Sequence, residues 1–447
     1  MSERLVIVGG DAAGMSAAMQ ARRARRDLEI VVLERGLHTS YSACGIPYLV
    51  GGDVDDPDDL VVRRPEEFRE RFLIDVRIRH EVTGLDLRSR TVEIRDLARE
   101  RTYSLGFDQL LLATGASPVR PSIPGIDLPH VHGVQTLDDG IAILREADRR
   151  DCQSVVVIGG GYIGLEMAEA FLHWGSEVTV LERSTHVMGT LDPDMASLVE
   201  EAMRRHEIDV RTDVVIEGID EKVVLTSDGP IEADLVILGT GVTPNSSLAA
   251  DAGLELGAKG AVRVDRRQRA SVEGVWAAGD CAESFHLVSR KPVHVALGTV
   301  ANRQGRVAGI NLGGGYATFP GVLGTAVTKL CATEIARTGL NEREATEAGF
   351  EFAAVKIEST TRAGYFPGAR PIVVKFVAER GTGRLLGAQI VGEEGAAKRI
   401  DVVATAIWSG LTVDEMIDLD LSYAPPFSPV WDPVAVAARA ASKQIRT

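Results

Sequence analysis

At 447 residues, 45% hydrophobic and 25% charged, the chain has the composition of a folded globular protein and enough length for two or three separate cores. A net charge of −15 argues against a broad nucleic-acid-binding face, and no apolar stretch is long enough for a leader peptide or a membrane span. A cytoplasmic protein with neither nucleic acid nor membrane as a partner is therefore expected, and four cysteines in no CxxC or zinc-like spacing predict neither a disulfide framework nor a metal site.

In chain order, the apolar run Leu5–Val8 leads into Gly9-Gly10-Asp11-Ala12-Ala13-Gly14 and an Ala- and Arg-rich stretch to Arg26. This is the pattern of strand, tight turn and helix. A second strand, Ile30–Leu33, ends in Glu34, placed 20 residues beyond Gly14, where a carboxylate can accept hydrogen bonds from a ribose. Asp11 stands where such turns usually carry a second glycine. The arginines Arg22, Arg23, Arg25 and Arg26 on the first helix read either as a solvated face or as a grip for phosphates.

Next comes Cys44, in Ser40-Tyr41-Ser42-Ala43-Cys44-Gly45-Ile46-Pro47-Tyr48. Pro47 suits the first turn of a helix, which predicts Cys44 near a helix N-terminus and a thiol pKa lowered by the dipole. The strand Leu110–Leu112 runs into Ala113-Thr114-Gly115. The nucleotide-binding pattern then recurs: strand Ser154–Ile158, turn Gly159-Gly160-Gly161-Tyr162-Ile163-Gly164, helix through Trp174, and strand Glu177–Leu181 ending in Glu182. In both units glycine permits the turn, and free N–H groups at the helix N-terminus favour a pyrophosphate. Two units imply two nucleotides. Gly274 to Asp280 places a further acid after a small-residue turn, and after about Ala317 the runs Pro371–Val377 and Leu385–Val391, with a helical stretch Lys398–Ser409, suggest a third, α+β domain.

The order GxxxxG, acid, ATG, GxGxxG, acid, GxxPN (Gly241–Asn245) and AxGD resembles the two-dinucleotide-domain pyridine nucleotide-disulfide oxidoreductases over essentially the whole chain. That resemblance implies an α/β protein with two Rossmann-like domains, for FAD and NAD(P)H, plus a C-terminal α+β dimerisation domain. The implied boundaries are 1–115 and 248–322 for FAD, 116–247 for NAD(P)H and 323–447 for dimerisation. FAD would be held by Gly9, Asp11, Ala12, Ala13, Gly14, Glu34 and Arg35, with Val82, Ala113, Thr114, Gly115 and Asp280 completing its site. The nicotinamide nucleotide would meet Gly159, Gly161, Tyr162, Ile163, Gly164, Glu182, Arg183 and Gly241. Glu182 favours NADH by repelling an extra phosphate, and Arg183 softens that repulsion, so NADPH stays possible.

Paired-cysteine members carry a second cysteine five positions on, where this chain has Leu49, and a C-terminal His-Glu dyad, whereas all nine histidines here lie at or before His294. The Cys44 segment resembles the single-cysteine branch that contains coenzyme A-disulfide reductases and NADH oxidases and peroxidases. In that branch Tyr365 and Tyr423 match a catalytic pair that reaches the cysteine from a partner subunit, which implies a homodimer. Coenzyme A would run past Ser16, Gln20, Ser40, Ala43 and Asn302, with its phosphates on Arg23. Phe72 and Trp431 depart from relatives that carry lysine there.

The reaction so implied passes electrons from NAD(P)H through FAD to a Cys44 mixed disulfide, with coenzyme A disulfide, its persulfide or a related small disulfide as substrate. Two alternatives stay open, an NADH oxidase or peroxidase cycling through a Cys44 sulfenic acid, and a reductase that hands electrons to a protein partner. Because the sequence ends at Thr447, no appended rhodanese-like domain is expected.

Overall fold

Short β-branched runs flanked by glycine form the cores of two parallel sheets. The computed structural model describes residues 3–150 and 152–446. In the first sheet the strands run Val275–Ala277, Gln109–Leu112, Arg4–Val8, Glu29–Leu33, Ile74–Arg77, all parallel. The second repeats the plan with Asp209–Arg211, Glu177–Leu181, Ser154–Ile158, Leu235–Leu238 and Val131–Gly133. Leu5, Val6, Ile7, Val155, Val156 and Val157 are buried, as strands covered on both faces must be.

The expected elements form with small shifts at their ends. The first helix spans Ala12–Ala24 and stops short of Arg26, because Arg25 is already extended (φ −134°, ψ 105°). Arg22 turns back to donate to the carbonyls of Arg25, Arg26 and Leu73, and Arg25 pairs with Glu3 and Asp27. Two of the four arginines are therefore committed to closing the helix, which leaves Arg23 exposed on it and Arg26 exposed beyond its end.

The helix Gly298–Leu312 packs on this first helix backbone to backbone. A Cβ on Gly305 would lie 2.2 Å from the Ala13 carbonyl oxygen, and one on Gly309 would lie 2.4 Å from that of Ala17. No residue but glycine fits either place. This contact sets the Ser16 hydroxyl beside Asn302, 2.8 Å from Oδ1.

The C-terminal region is an antiparallel sheet in the order Ala326–Leu330, Thr333–Gly339, Leu385–Gly392, Pro371–Glu379, Phe352–Thr360. The helices Ile400–Ser409 and Pro433–Ile445 bury Val403, Ile407, Val434 and Ala438 in its core. Lys375, on the strand Pro371–Glu379, is buried and ties this sheet to the helix Pro193–Arg205. Its Nζ lies 2.6 Å from Asp194 and 3.2 Å from Asp192, and also pairs with Glu342. Gln389 Nε2 donates to Asp192 at 2.6 Å. Although Asp192, Asp194 and Glu342 gather closely enough for a cation, the ammonium of Lys375 already sits among them.

Removing one partner of a buried ion pair leaves a charge with nothing to balance it, which costs about 3–5 kcal/mol. Lys375→Met is thus expected to lower the chemical-denaturation stability by about that amount, while Lys398→Met, at an exposed surface pair, changes it little. Equal effects in the two unfolding curves would refute the buried cluster as the tie.

Candidate active site

Both glycine-rich turns are held by the same contact. Glu34 Oε2 accepts from the Gly10 N–H at 2.7 Å, and Glu182 Oε2 accepts from the Gly160 N–H at 2.9 Å. The other carboxylate oxygen accepts from Gly36 (2.6 Å) and from Ser184 (2.8 Å) respectively. Each acid therefore sits at a strand end with its oxygens beside the turn, where a ribose would meet them. Gly9 (φ +109°) and Gly159 (φ +105°) adopt the left-handed backbone that the turn needs.

The turns differ at one residue. Gly161 (φ −85°, ψ −168°) has space around it, since a Cβ there would meet only the Gly239 carbonyl oxygen at 4.0 Å. Asp11 has nearly the same backbone (φ −109°, ψ −152°) but fills that space with a carboxyl, which accepts from the Tyr41 N–H at 3.3 Å. Burial, reinforced by Glu34 and Asp280, pushes the Asp11 pKa up to about 7.

Asp280 follows the strand Val275–Ala277, and its Oδ1 is buried with no hydrogen-bond partner. Burial pushes its pKa up to about 6. An orphaned acceptor of this kind fits a hydroxyl-bearing group such as a ribityl chain, so the residues match the flavin nucleotide that the motifs imply.

Thr114 Oγ1 donates to the Asn245 carbonyl at 2.6 Å, and Asn245 Nδ2 donates back to the Thr114 carbonyl at 2.9 Å. The ATG and GxxPN segments are thereby stitched together, with Ala113 against Gly9 and with Gly115 and Gly241 both at positive φ. Ala12, Ala13 and Gly14 open the first helix, and Ile163 and Gly164 the second. Tyr162 approaches Thr190 at 3.4 Å. Val82 is buried, Arg35 stands 4.0 Å from Glu81, and Arg183 is exposed.

Cys44 lies in a 3-10 turn, Ala43–Gly45, just ahead of the helix Ile46–Val50. Cys44 forms no disulfide, and Leu49 is buried with Leu60 and Leu137. The expectation of a lowered thiol pKa is overturned, for the Cys44 pKa is raised. Burial of the sulfur comes first, although the residue as a whole is exposed, and the fields of Glu166, Asp280 and Asp11 add to it. A five-residue helix has too small a dipole to compensate. The stronger helix end is elsewhere. A Cβ on Gly298 would lie 3.9 Å from the sulfur, and Gly298 opens the 15-residue helix Gly298–Leu312.

Glu166 escaped the sequence reading. The signal was available, since Glu166 and Glu169 are the two carboxylates in the otherwise apolar helix Tyr162–His173. Of the residues expected to contact substrate, Ser16 and Asn302 are bonded together, Gln20 packs at Gly309 and Arg23 is exposed. Ser40 (φ 52°) donates its N–H to the Gly10 carbonyl, and Ala43 packs on the neighbouring core. Arginines stack on both aromatic departures, Arg63 and Arg71 over Phe72 (5.6 and 5.7 Å) and Arg439 over Trp431 (4.7 Å). Tyr365 and Tyr423 lie on the surface, where the hydroxyl of Tyr365 pushes the Tyr423 pKa up. Among the described hydrogen bonds, none joins either tyrosine to Cys44 of the same chain.

Comparison with known proteins adds the following. The family model described as pyridine nucleotide-disulphide oxidoreductase matches residues 3–305, and the dimerisation domain of the same family matches 325–434. A curated relative from Pyrococcus horikoshii, named NAD(P)H coenzyme A polysulfide/persulfide reductase, is 41% identical over 98% of both chains. Another from Methanocaldococcus jannaschii, named NADH oxidase, is 36% identical over 99% of both. The solved structure of reduced Bacillus anthracis CoADR-RHD superposes with a TM-score of 0.97 at 36% identity, covering 100% of this chain and 81% of that one.

A folded Asp11 keeps its proton to about pH 7, whereas an unfolded aspartate loses it near pH 4. The folded state therefore binds more protons between those values, and stability falls as pH rises through the window. Asp11→Asn holoprotein is expected to melt with wild type at about pH 4 and above it at about pH 8. Parallel melting curves at both pH values would remove Asp11 as the cause.

Proposed function

The chain belongs to the pyridine nucleotide-disulphide oxidoreductase family, and from that membership we propose that it is an FAD-dependent NAD(P)H oxidoreductase that reduces coenzyme A disulfide or persulfide through Cys44. The observation that carries this reading is a free, accessible Cys44 whose fifth following residue is a buried leucine, so no internal disulfide can form within its helix. Bound FAD would take hydride from the nicotinamide and return an electron pair to a sulfur. Asp280 and Glu34 would hold its hydroxyls, and Glu182 those of NADH, with Arg183 leaving room for NADPH.

Cys44 thiolate attacks one sulfur of the substrate disulfide, forming Cys44–S–S–CoA and releasing the other half as a thiolate that takes up a proton. The electron pair then cleaves the mixed disulfide, which regenerates the Cys44 thiolate and frees the second coenzyme A. Coenzyme A lies along Ser16, Gln20 and Asn302, with Ser40 and Ala43 near its thiol end. Its phosphates meet Arg23, and the guanidiniums stacked on Phe72 and Trp431 supply the positive charge that those aromatic side chains lack.

Tyr365 and Tyr423 protonate the departing thiolate from the partner subunit of a homodimer. Support comes from their exposure, 79% and 46%, beside the exposed apolar Phe427, Val430 and Trp431 in the segment that matches the dimerisation domain. The NADH oxidase relative favours a second reading, in which oxygen or peroxide is the acceptor and Cys44 cycles through sulfenic acid.

Cys44→Ser is expected to abolish NADH-dependent reduction of coenzyme A disulfide under anaerobic conditions while electron transfer from NADH to a one-electron dye persists. Wild-type turnover on oxygen with none on coenzyme A disulfide would select the oxidase instead. The shared site has its own test. A heterodimer of a Cys44→Ser chain with a Tyr365→Phe, Tyr423→Phe chain contains one intact site if the tyrosines act across the interface, and should recover about half the activity. No recovery would place them in the same subunit as their cysteine.

A further inference from the structure

Cys44 rides on a helical segment that is gripped by both nucleotide-binding units. The turn Ala43–Gly45 runs without a break into Ile46–Val50, so the cysteine and Val50 belong to one continuous piece. The sulfur meets the first unit, where a Cβ on Gly298 would lie 3.9 Å from it. Ile46 and Val50, one turn apart, are instead buried in the core of the second unit with Val155, Val157, Leu165 and Phe171, and Ala43 packs on that same core. By chain order the segment belongs to the first unit, yet its apolar face lies in the second.

Three contacts fasten it there. Trp174, which ends the helix Tyr162–His173, donates its Nε1–H to the Val50 carbonyl at 2.7 Å. That bond closes the segment: the carbonyls of Pro47, Tyr48 and Leu49 accept from the N–H groups of Gly51, Asp53 and Gly52, and the Val50 carbonyl takes the indole. An exposed tryptophan can donate to water, but this one, 40% exposed and beside the buried Phe171 (ring centroids 6.4 Å apart), donates across the two units. Next to it a Cβ on Gly51 would lie 3.2 Å from Ala170 Cα, so the chain comes this close to the helix only with glycine at that position. On the helix Leu137–Arg150, Gly140 likewise leaves room for Ile46, whose side chain a Cβ would meet at 2.8 Å.

We propose that Trp174 is a positioning residue for Cys44, tying the far end of the cysteine's helical segment to the second unit and so fixing where the sulfur stands against the helix Gly298–Leu312. It touches no substrate and moves no proton; it acts through the backbone of Val50. The helix that ends at Trp174 opens on the turn Gly159–Gly164, so the unit that receives the nicotinamide nucleotide also holds the segment that carries the sulfur. The proposal rests on the reading of Cys44 as the reacting thiol.

Trp174→Phe keeps an aromatic ring and deletes the N–H donor. In the holoprotein, alkylation of Cys44 by iodoacetamide, with the site identified by mass spectrometry, should quicken by about fivefold, the worth of one hydrogen bond. With coenzyme A disulfide under anaerobic conditions kcat should fall by about tenfold at unchanged KM, because Ser16, Gln20 and Asn302 are untouched. Reduction of a one-electron dye by NADH should keep the wild-type rate, since neither glycine-rich turn is altered. Should Trp174→Phe fail to fold, Gly51→Ala pushes the same segment off the same helix and is expected to act in the same direction. Alkylation no faster than in wild type overturns the proposal. So does a raised KM at full kcat, or an equal loss of dye reduction, either of which would put the defect in binding or in the second unit as a whole. If wild type ignores coenzyme A disulfide, the functional reading fails and the alkylation rate still decides this one.

Discussion

Burial, with the fields of Glu166, Asp280 and Asp11 added to it, raises the pKa of the Cys44 thiol, and any chemistry at that sulfur proceeds against this bias. A thiolate is the nucleophile in disulfide exchange, so this arrangement holds back the reactive form. An opposing influence is the N-terminus of the helix Gly298–Leu312, close to the sulfur. Because Asp11 and Asp280 are themselves raised toward neutrality by burial, part of the negative field is removed by protonation near pH 7 and below.

The architecture explains why these groups meet. Asp11 comes from the turn after the first strand, Asp280 from the loop after Val275–Ala277, Glu166 from the second glycine-turn helix and Lys329 from the C-terminal sheet. Backbone constraints hold part of this frame, among them the contact of Gly305 and Gly309 with Ala13 and Ala17 and the stitching of Thr114 to Asn245. The Lys375 cluster attaches the C-terminal sheet to the helix Pro193–Arg205, and Lys329 on that sheet lies at Glu169. Evenly spread charge on this chain would not produce such a site; opposite charges have to be brought together from distant segments.

Much of this was legible in the sequence. The two strand–turn–helix units could be read because glycine spacing and apolar runs are local, and Glu34 and Glu182 followed from their distance to the turn. Cys44 stood out through the resemblance of its flanking segment Ser40–Tyr48 to the single-cysteine branch. What escaped was non-local. The direction of its pKa shift is set first by burial, to which Glu166 and Asp280, 122 and 236 residues away in the sequence, add, and no local pattern encodes either. Within the Arg22–Arg26 cluster, Arg22 and Arg25 satisfy carbonyls and acids at the helix end, a job that composition cannot distinguish from phosphate binding.

The central claim is that electrons leave through one sulfur, carried as a mixed disulfide. Mass spectrometry of the unreduced enzyme, quenched in acid during turnover with NADH and coenzyme A disulfide, reads this directly. The account predicts a Cys44 peptide heavier by one coenzyme A, with Cys152, Cys281 and Cys331 unmodified. A Cys44 peptide that stays bare throughout turnover, or carries only oxygen, would contradict it.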